Sequence, residues 1–181
     1  LTKTEKNMID MVTKNFANVV LVYNGANTLE MGFVNDYPQI KSVIWCPGTG
    51  QTGFNALGEI VAGEVNPSGH SADTFVYDLT AAPYFNNIGD FAYTNADSVG
   101  YTVASQAGGD AKLVPPHFVN YVEGIYVGYK FYETAAAEGL IDYDKTVQYP
   151  FGHGLSYTTF TQKIDSMTEA DGTITLDVTV T

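Results

Sequence analysis

The chain has 181 residues, of which 20 are acidic and 8 are basic, and its formal net charge is -12. This length suits one main globular domain, or one domain with a piece of a second. The negative charge argues against nucleic acid and anionic membranes as partners, and the single cysteine, Cys46, excludes a disulfide within the chain.

The first third of the chain alternates between helix and strand patterns. Thr2 stands three residues before Glu5, which is the capping-box spacing, and apolar residues at the helical period follow. The apolar runs VVLVYNG and SVIWCPG predict strands buried on both faces, as in parallel sheets. TLEMGFVNDYP between them is consistent with a short helix, and QTGFNALGEIVAGE predicts a longer helix that ends at Gly63. This order predicts an α/β fold with a mainly parallel sheet.

The rest of the chain is less regular. DTFVYDL predicts a strand, and the aperiodic residues from about 80 to 120 predict a long ordered insertion. YKFYETAAAE predicts a helix that ends at Gly139. After Asp171 and Gly172, apolar and polar residues alternate, which predicts an antiparallel hairpin of a second, truncated unit.

His153 lies between Gly152 and Gly154 in the motif YPFGHGLSYTTF, residues 149–160. A histidine base needs a nucleophile and an orienting acid, and neither neighbours it in the sequence. Two flanking glycines are better explained by unusual backbone angles or by a close approach of two chain segments. We therefore predict a backbone role for this motif, with catalysis or substrate binding by His153 as the alternative.

The sequence offers little support for a metal or a cofactor. His70 and His117 are isolated and lack metal-ligand spacing. The glycines of CPGTGQTGFNALGE fit neither the dinucleotide fingerprint nor the P-loop, so they predict a tight turn. YNGAN after the first strand is consistent with a flavin phosphate site in a flavodoxin-like sheet, and equally with an ordinary turn. We predict no metal and no cofactor, and copurification of a flavin would contradict this.

A glycosidase requires two carboxyl groups that face each other, about 5–5.5 Å apart in retaining enzymes. The candidates in this sequence are Glu30, Glu59, Glu64, Asp73, Asp78, Asp90 and Glu123. Their spacing selects no pair, and each residue by itself is consistent with a helix cap or a surface charge.

Three longer segments carry a resemblance to a known family. GQTGFNALGEIVAGEVNPSG, NYVEGIYVGYKFYE and YPFGHGLSYTTF occur here in the order and approximate spacing typical of glycoside hydrolase family 3. That family includes the β-glucosidases and related exo-acting enzymes. The resemblance covers residues from about 19 to 160, and three separate motifs in order are much more specific than a lone glycine pattern.

The resemblance implies a modular enzyme, with a (β/α)8-type barrel, a three-layer α/β sandwich and a fibronectin type III-like domain. Residues 1–158 resemble the later part of the sandwich, and residues 159–181 resemble the first antiparallel strands of the fibronectin-like β-sandwich. The barrel with its aspartate nucleophile is missing, and the acid/base glutamate of many members would align just before Leu1. PSGHSADTFVYD departs from the common family pattern and resembles a subgroup whose barrel follows the other two domains.

The resemblance also implies a function for the parent protein, namely retaining hydrolysis of the terminal sugar of an oligosaccharide or β-glucoside. This chain would form one wall of the substrate cleft, without catalytic carboxylates of its own and inactive by itself. Asn24 and Glu30, which follow the first strand, and His70 are the residues expected to face the substrate. The missing barrel, in the same polypeptide or as a companion chain, would cover the exposed hairpin and sheet edge.

An alternative from another class is a non-catalytic carbohydrate-binding or structural module, whose tyrosines stack on sugar rings. The chain has no apolar run long enough to span a membrane and opens on the polar LTKTEKN, so any targeting signal lies outside these residues. Extracellular, cell-surface and bacterial cytoplasmic locations stay open, as does homo-oligomerisation.

Overall fold

The computed structural model describes residues 1–87, 91–95, 98, 101–103, 112–114 and 116–181. The chain divides into two compact units, each made of two segments. Leu1–Pro47 and Ala72–Gly152 form the first unit, and Gly48–Ser71 and His153–Thr181 form the second.

In chain order the α-helices and β-strands are α1 (Lys3–Asn15), β1 (Val19–Tyr23), β2 (Ile40–Trp45), α2 (Gly53–Ala62), β3 (Phe75–Val76), β4 (Tyr101–Val103), β5 (Lys112–Val114), α3 (Tyr129–Ala137), α4 (Tyr143–Thr146), β6 (Val147–Tyr149), β7 (Gln162–Ala170) and β8 (Thr173–Val180). The strands pair two by two. Strands β1 and β2 run parallel, and β3 with β6, β4 with β5 and β7 with β8 run antiparallel.

Helix α1 begins at the predicted capping box. The Thr2 hydroxyl accepts from the backbone N–H of Glu5 at 3.3 Å, and the Glu5 carboxylate accepts from the backbone N–H of Thr2 at 2.7 Å. The hydrogen bonds that the backbone N–H and the hydroxyl of Thr2 donate to the ionised carboxyl lower the pKa of Glu5. Ile9 and Thr13, one turn apart, form the buried side of the helix.

The parallel pairing of β1 with β2 confirms part of the predicted sheet, with Tyr23 aligned to Trp45. The predicted burial of β1 on both faces is wrong. Val20 and Val22 are exposed, whereas the alternate residues of β1 are half-buried. The described chain thus covers the face that carries these two valines only in part.

The core of the first unit lies where β3, α3 and β6 meet. Val76, Tyr132 and Val147 are buried there and contact one another. Because ionisation would place a charge in this apolar site, burial raises the pKa of Tyr132 to about 12. Four half-buried side chains pack around the three, namely Leu79, Phe131, Ile141 and Tyr143.

Aromatic contacts join two of the strand pairs of this unit, β1 with β2 and β3 with β6. The ring of Phe75 on β3 meets Trp45 edge-on at 5.0 Å between centroids, and meets Tyr149 on β6 at 6.1 Å. The indole N–H of Trp45 donates to the carbonyl of Gly25 at 2.8 Å, so the half-buried ring keeps its polar atom paired.

The less regular middle of the chain is only partly described. Of the predicted strand in DTFVYDL only β3 forms, and 3₁₀ turns follow at Leu79–Ala81 and Phe85–Asn87. The described part of the predicted insertion further contains the antiparallel pair of β4 and β5. Its other residues lie outside the described chain, and Asp90 is among them.

Glycines end helices where the sequence predicts. Gly63 after α2 and Gly139 after α3 have φ of 77° and 70°, in the left-handed region that favours glycine. In the second unit Asp171 and Gly172, with φ of 52° and 73°, form the two-residue turn between β7 and β8. This geometry is that of a type I′ hairpin turn, which confirms the predicted antiparallel hairpin.

Candidate functional site

Asn24 lies at the carboxyl end of β1, as its position after an apolar run predicts. Its side-chain amide donates to the carbonyl of Cys46 at 2.6 Å, and the N–H of Cys46 donates to the carbonyl of Tyr23 at 2.9 Å. Asn24 therefore ties together the ends of the two parallel strands. Crevices of open α/β sheets lie at this edge, outside the carboxyl ends of the strands.

Glu30 belongs to the same unit and is exposed. One of its carboxylate oxygens accepts from the backbone N–H of Leu79 at 2.8 Å, at the first residue of the 3₁₀ turn Leu79–Ala81. The carboxylate thus holds this turn against the segment that follows β1. This hydrogen bond gives Glu30 a structural role in the first unit.

A groove of about 520 Å³ lies beside β1 in the first unit. Tyr23 and Leu29, the chain neighbours of Asn24 and Glu30, line it together with Leu21. Its other lining residues are Leu1, Thr2, Glu5, Met8, Ile9, Val22 and Phe33. The volume falls in the range of small-molecule sites, and the lining is mainly apolar.

His70, the third candidate, belongs to the second unit. Its Nδ1 lies 3.0 Å from the carbonyl oxygen of Ser68. A Cβ placed on Gly154 would lie 2.9 Å from the ring carbon Cδ2 of His70, so the imidazole packs directly against the Gly154 backbone. Asn24 and Glu30 both lie in the segment that follows β1 in the first unit, whereas the described contacts of His70 lie within the second unit.

The motif around His153 pairs with the segment around His70. The N–H of His153 donates to the Ser71 hydroxyl at 3.1 Å, and the N–H of Ser71 donates to the His153 carbonyl at 2.7 Å. Gly154 lies against the backbone of Gly69 with no room for a side chain. These contacts support the predicted backbone role of YPFGHGLSYTTF, because the close approach of two segments requires the glycine.

Asn66 is a residue that sequence reasoning misses. Its side-chain oxygen accepts from the Ser156 hydroxyl at 2.7 Å and from the Tyr157 N–H at 2.9 Å. The Tyr157 hydroxyl in turn donates to the carbonyl of Ile60 on α2 at 2.7 Å. The one available signal was the pair Asn66-Pro67, which marks a turn but names no partner.

We expect Asn66→Ala to destabilise the second unit by about 1–2 kcal/mol, because two hydrogen bonds to one acceptor are lost. Urea unfolding, with amide exchange at Tyr157 as a local probe, measures the effect. Asn66→Asp is the matched control, since it keeps an oxygen in the same place. Equal losses in both variants would contradict a role as acceptor.

Two other carboxylate candidates, Asp78 and Asp73, accept hydrogen bonds from residues of their own segments. Asp78 caps the turn Leu79–Ala81 by accepting from the backbone N–H and hydroxyl of Thr80, and these hydrogen bonds lower the pKa of Asp78. Asp73 accepts from the N–H of Thr74 at 2.8 Å.

The described residues contain no group of three or more histidine, cysteine or acidic side chains able to hold a metal. Nor does any helix in the described ranges have the length and apolar character to cross a bilayer.

The parallel pair, the antiparallel strands and the connecting helices define an α/β domain that closely resembles part of a β-glucosidase. A solved β-glucosidase from Paenibacillus barengoltzii matches 99% of this chain with a TM-score of 0.74 and 28% identity. The matched part is 17% of that protein.

The family follows from the sequence comparisons. The model of the glycosyl hydrolase family 3 C-terminal domain matches residues 1–129. The chain belongs to glycosyl hydrolase family 3, which confirms the resemblance found in its motifs. Beta-glucosidase A of Butyrivibrio fibrisolvens is 33% identical over 160 residues, and a β-glucosidase of Ruminococcus albus is 30% identical over 175 residues. These matches span 88% and 96% of this chain but only 16% and 15% of the two relatives.

Proposed function

We propose that this chain is a non-catalytic part of a retaining, exo-acting β-glycosidase that hydrolyses terminal β-linked sugars. One observation carries the proposal: nearly the whole chain matches proteins named β-glucosidases, yet it spans about a sixth of their length. Most of the enzyme, including the barrel with the nucleophile, then lies in polypeptide beyond these residues.

The proposed chemistry uses two carboxyl groups. One attacks the anomeric carbon to form a glycosyl-enzyme, while the other protonates the leaving oxygen and later deprotonates the water that releases the sugar. Neither group is assigned to this chain. The contacts of Glu30 with the Leu79 N–H and of Asp78 with Thr80 support this, because both carboxylates already serve local structure.

The proposed role of the chain is to form one wall of the substrate cleft. The groove beside β1 and the polar side chains of Asn24 and Glu30 at the carboxyl edge of the parallel strands support this role. His70, which belongs to the second unit, is also proposed to lie near the substrate. Residues 1–158 are proposed to be the later part of a three-layer sandwich, and 159–181 the first strands of a fibronectin type III-like domain.

Comparing the purified chain with the full-length protein that carries it tests the proposal. We expect the full-length protein to release nitrophenol from a nitrophenyl β-glucoside and the 181 residues alone to release none above the buffer rate. Sustained release by the chain alone, abolished when one of its own carboxylates is changed, would falsify the proposal.

A non-catalytic sugar-binding module is the second candidate function. The exposed rings of Tyr129 and Phe151, stacked at 4.6 Å between centroids, favour it because aromatic faces bind sugar rings. This candidate predicts saturable binding of cellobiose by the chain alone. The enzyme-part proposal predicts little binding without the remaining polypeptide, so calorimetric titration separates the two.

A further inference from the structure

Residues 118–127 of the first unit form an exposed apolar strip. Seven of these ten residues are large hydrophobics whose exposed fractions range from 41% to 81%. They are Phe118, Val119, Tyr121, Val122, Ile125, Tyr126 and Val127. Glu123 is the one charged residue of the ten, in a chain that otherwise has many acidic residues. Soluble proteins rarely leave a contiguous patch of this kind open unless it is a contact surface.

Local contacts hold the apolar strip in place. The N–H of Phe118 donates to the carbonyl of Phe91 at 2.9 Å, and the Phe118 ring packs on Tyr93 at 5.2 Å between centroids. Within the strip the N–H of Tyr126 donates to the carbonyl of Glu123, also at 2.9 Å. These contacts anchor both ends of the segment that presents the exposed side chains.

We propose that the apolar strip is the docking surface for the part of the same polypeptide that lies outside these 181 residues. The proposal rests on the proposed function, in which this chain is a portion of a longer enzyme. The matched relatives support it, because about five sixths of each lies outside the matched region. A docking partner in the same polypeptide is present at high effective concentration and needs no separate recognition.

Other occupants fit the apolar strip less well. Two copies of this chain each carry a net charge of -12, so their approach is opposed by repulsion. The same charge opposes an anionic membrane. A glycan could hydrogen-bond to Tyr121 and Tyr126, but four of the seven large side chains are aliphatic and offer it no donor or acceptor, namely Val119, Val122, Ile125 and Val127. An apolar protein surface is the partner that matches this chemistry.

Photo-crosslinking in the full-length protein tests the proposal. Tyr121, the most exposed of the seven large hydrophobics of the apolar strip, is replaced with p-benzoylphenylalanine, and the crosslinked peptides are identified by mass spectrometry. We expect an intramolecular crosslink to a peptide outside these 181 residues. Leu140, 77% exposed and outside the strip, gives the control position and should yield no such crosslink. A crosslink between two copies, or no crosslink from Tyr121, would overturn the proposal.

A second experiment places a charged side chain in the apolar strip and measures stability. Ile125→Asp in the full-length protein should lower the thermal midpoint by at least about 2 °C and open new protease sites, because it places a carboxylate in the contact. Ile125 is 74% exposed in this chain and Leu140 is 77% exposed, so Leu140→Asp is a matched control that should change neither the midpoint nor the protease sites. Equal midpoints in both variants would overturn the proposal.

Activity on the nitrophenyl β-glucoside is measured in parallel for the unmodified full-length protein. If that protein is inactive while Tyr121 still crosslinks to the outside peptide, the proposed function fails and docking stands. If the protein is active and Tyr121 gives no crosslink, docking fails and the proposed function stands.

Discussion

Tyr132→Ala is expected to remove about 3–5 kcal/mol from the free energy of unfolding, the cost of deleting a buried aromatic ring. Tyr132 is 3% exposed and contacts Val76 and Val147, so its removal leaves a cavity where β3, α3 and β6 meet. Denaturant unfolding followed by tyrosine and tryptophan fluorescence measures the loss, since Trp45 packs on Phe75 of the same unit. A loss below about 1 kcal/mol would show that this core does not hold the unit together.

Tyr132→Phe is the control, because it keeps the ring and removes the hydroxyl. Burial raises the pKa of Tyr132 from 10.0 to about 12, so the folded state holds the phenol neutral after it would ionise in the unfolded chain. The stability that this shift contributes is fully present below pH 10 and is lost as the pH rises to about 12. Tyr132→Phe should therefore flatten the alkaline decline in stability across that window. Identical alkaline profiles for both proteins would mean that Tyr132 is not the group responsible.

Features set by neighbouring residues were predictable from the sequence. The capping box of α1 joins Thr2 and Glu5, three positions apart, and the β7–β8 turn depends on adjacent Asp171 and Gly172. Such contacts are short in sequence, so a pattern of a few residues contains all the partners. The parallel pair β1–β2 was also predictable, because two apolar runs with a crossover between them have few alternatives.

Contacts between distant segments were not predictable in the same way. Strand β3 pairs with β6, which begins more than seventy residues later, and nothing in the two residues of β3 indicates that partner. The candidate site follows the same rule. The place of Asn24 at the end of β1 was predictable. Its hydrogen bond to Cys46, and the hydrogen bond between Glu30 and Leu79, depend on the fold of the whole unit.

The motif around His153 combines both cases. The glycines on either side of the histidine indicated a backbone requirement, while the partner segment of residues 66–71 became evident only in the structure. The three family motifs predicted the fold class where local patterns could not, because members of one family share the long-range contacts of their fold. The boundary at residue 158 and the fibronectin-like identity of the hairpin stay predictions.

Gly154→Ala is expected to destabilise the second unit by about 1–3 kcal/mol, because the new methyl group would overlap the carbonyl oxygen of Gly69. That oxygen belongs to the backbone and cannot rotate away, and the His70 ring is the other close neighbour of the added methyl group. Gly69→Ala is the matched control in the same contact. A Cβ at Gly69 meets nothing within 4 Å, so this variant should be neutral or slightly stabilising. Thermal unfolding and amide exchange at Ser71 measure both. Equal stability of the two variants would show that the motif does not work by close backbone approach, and His153 would again become a candidate for chemistry.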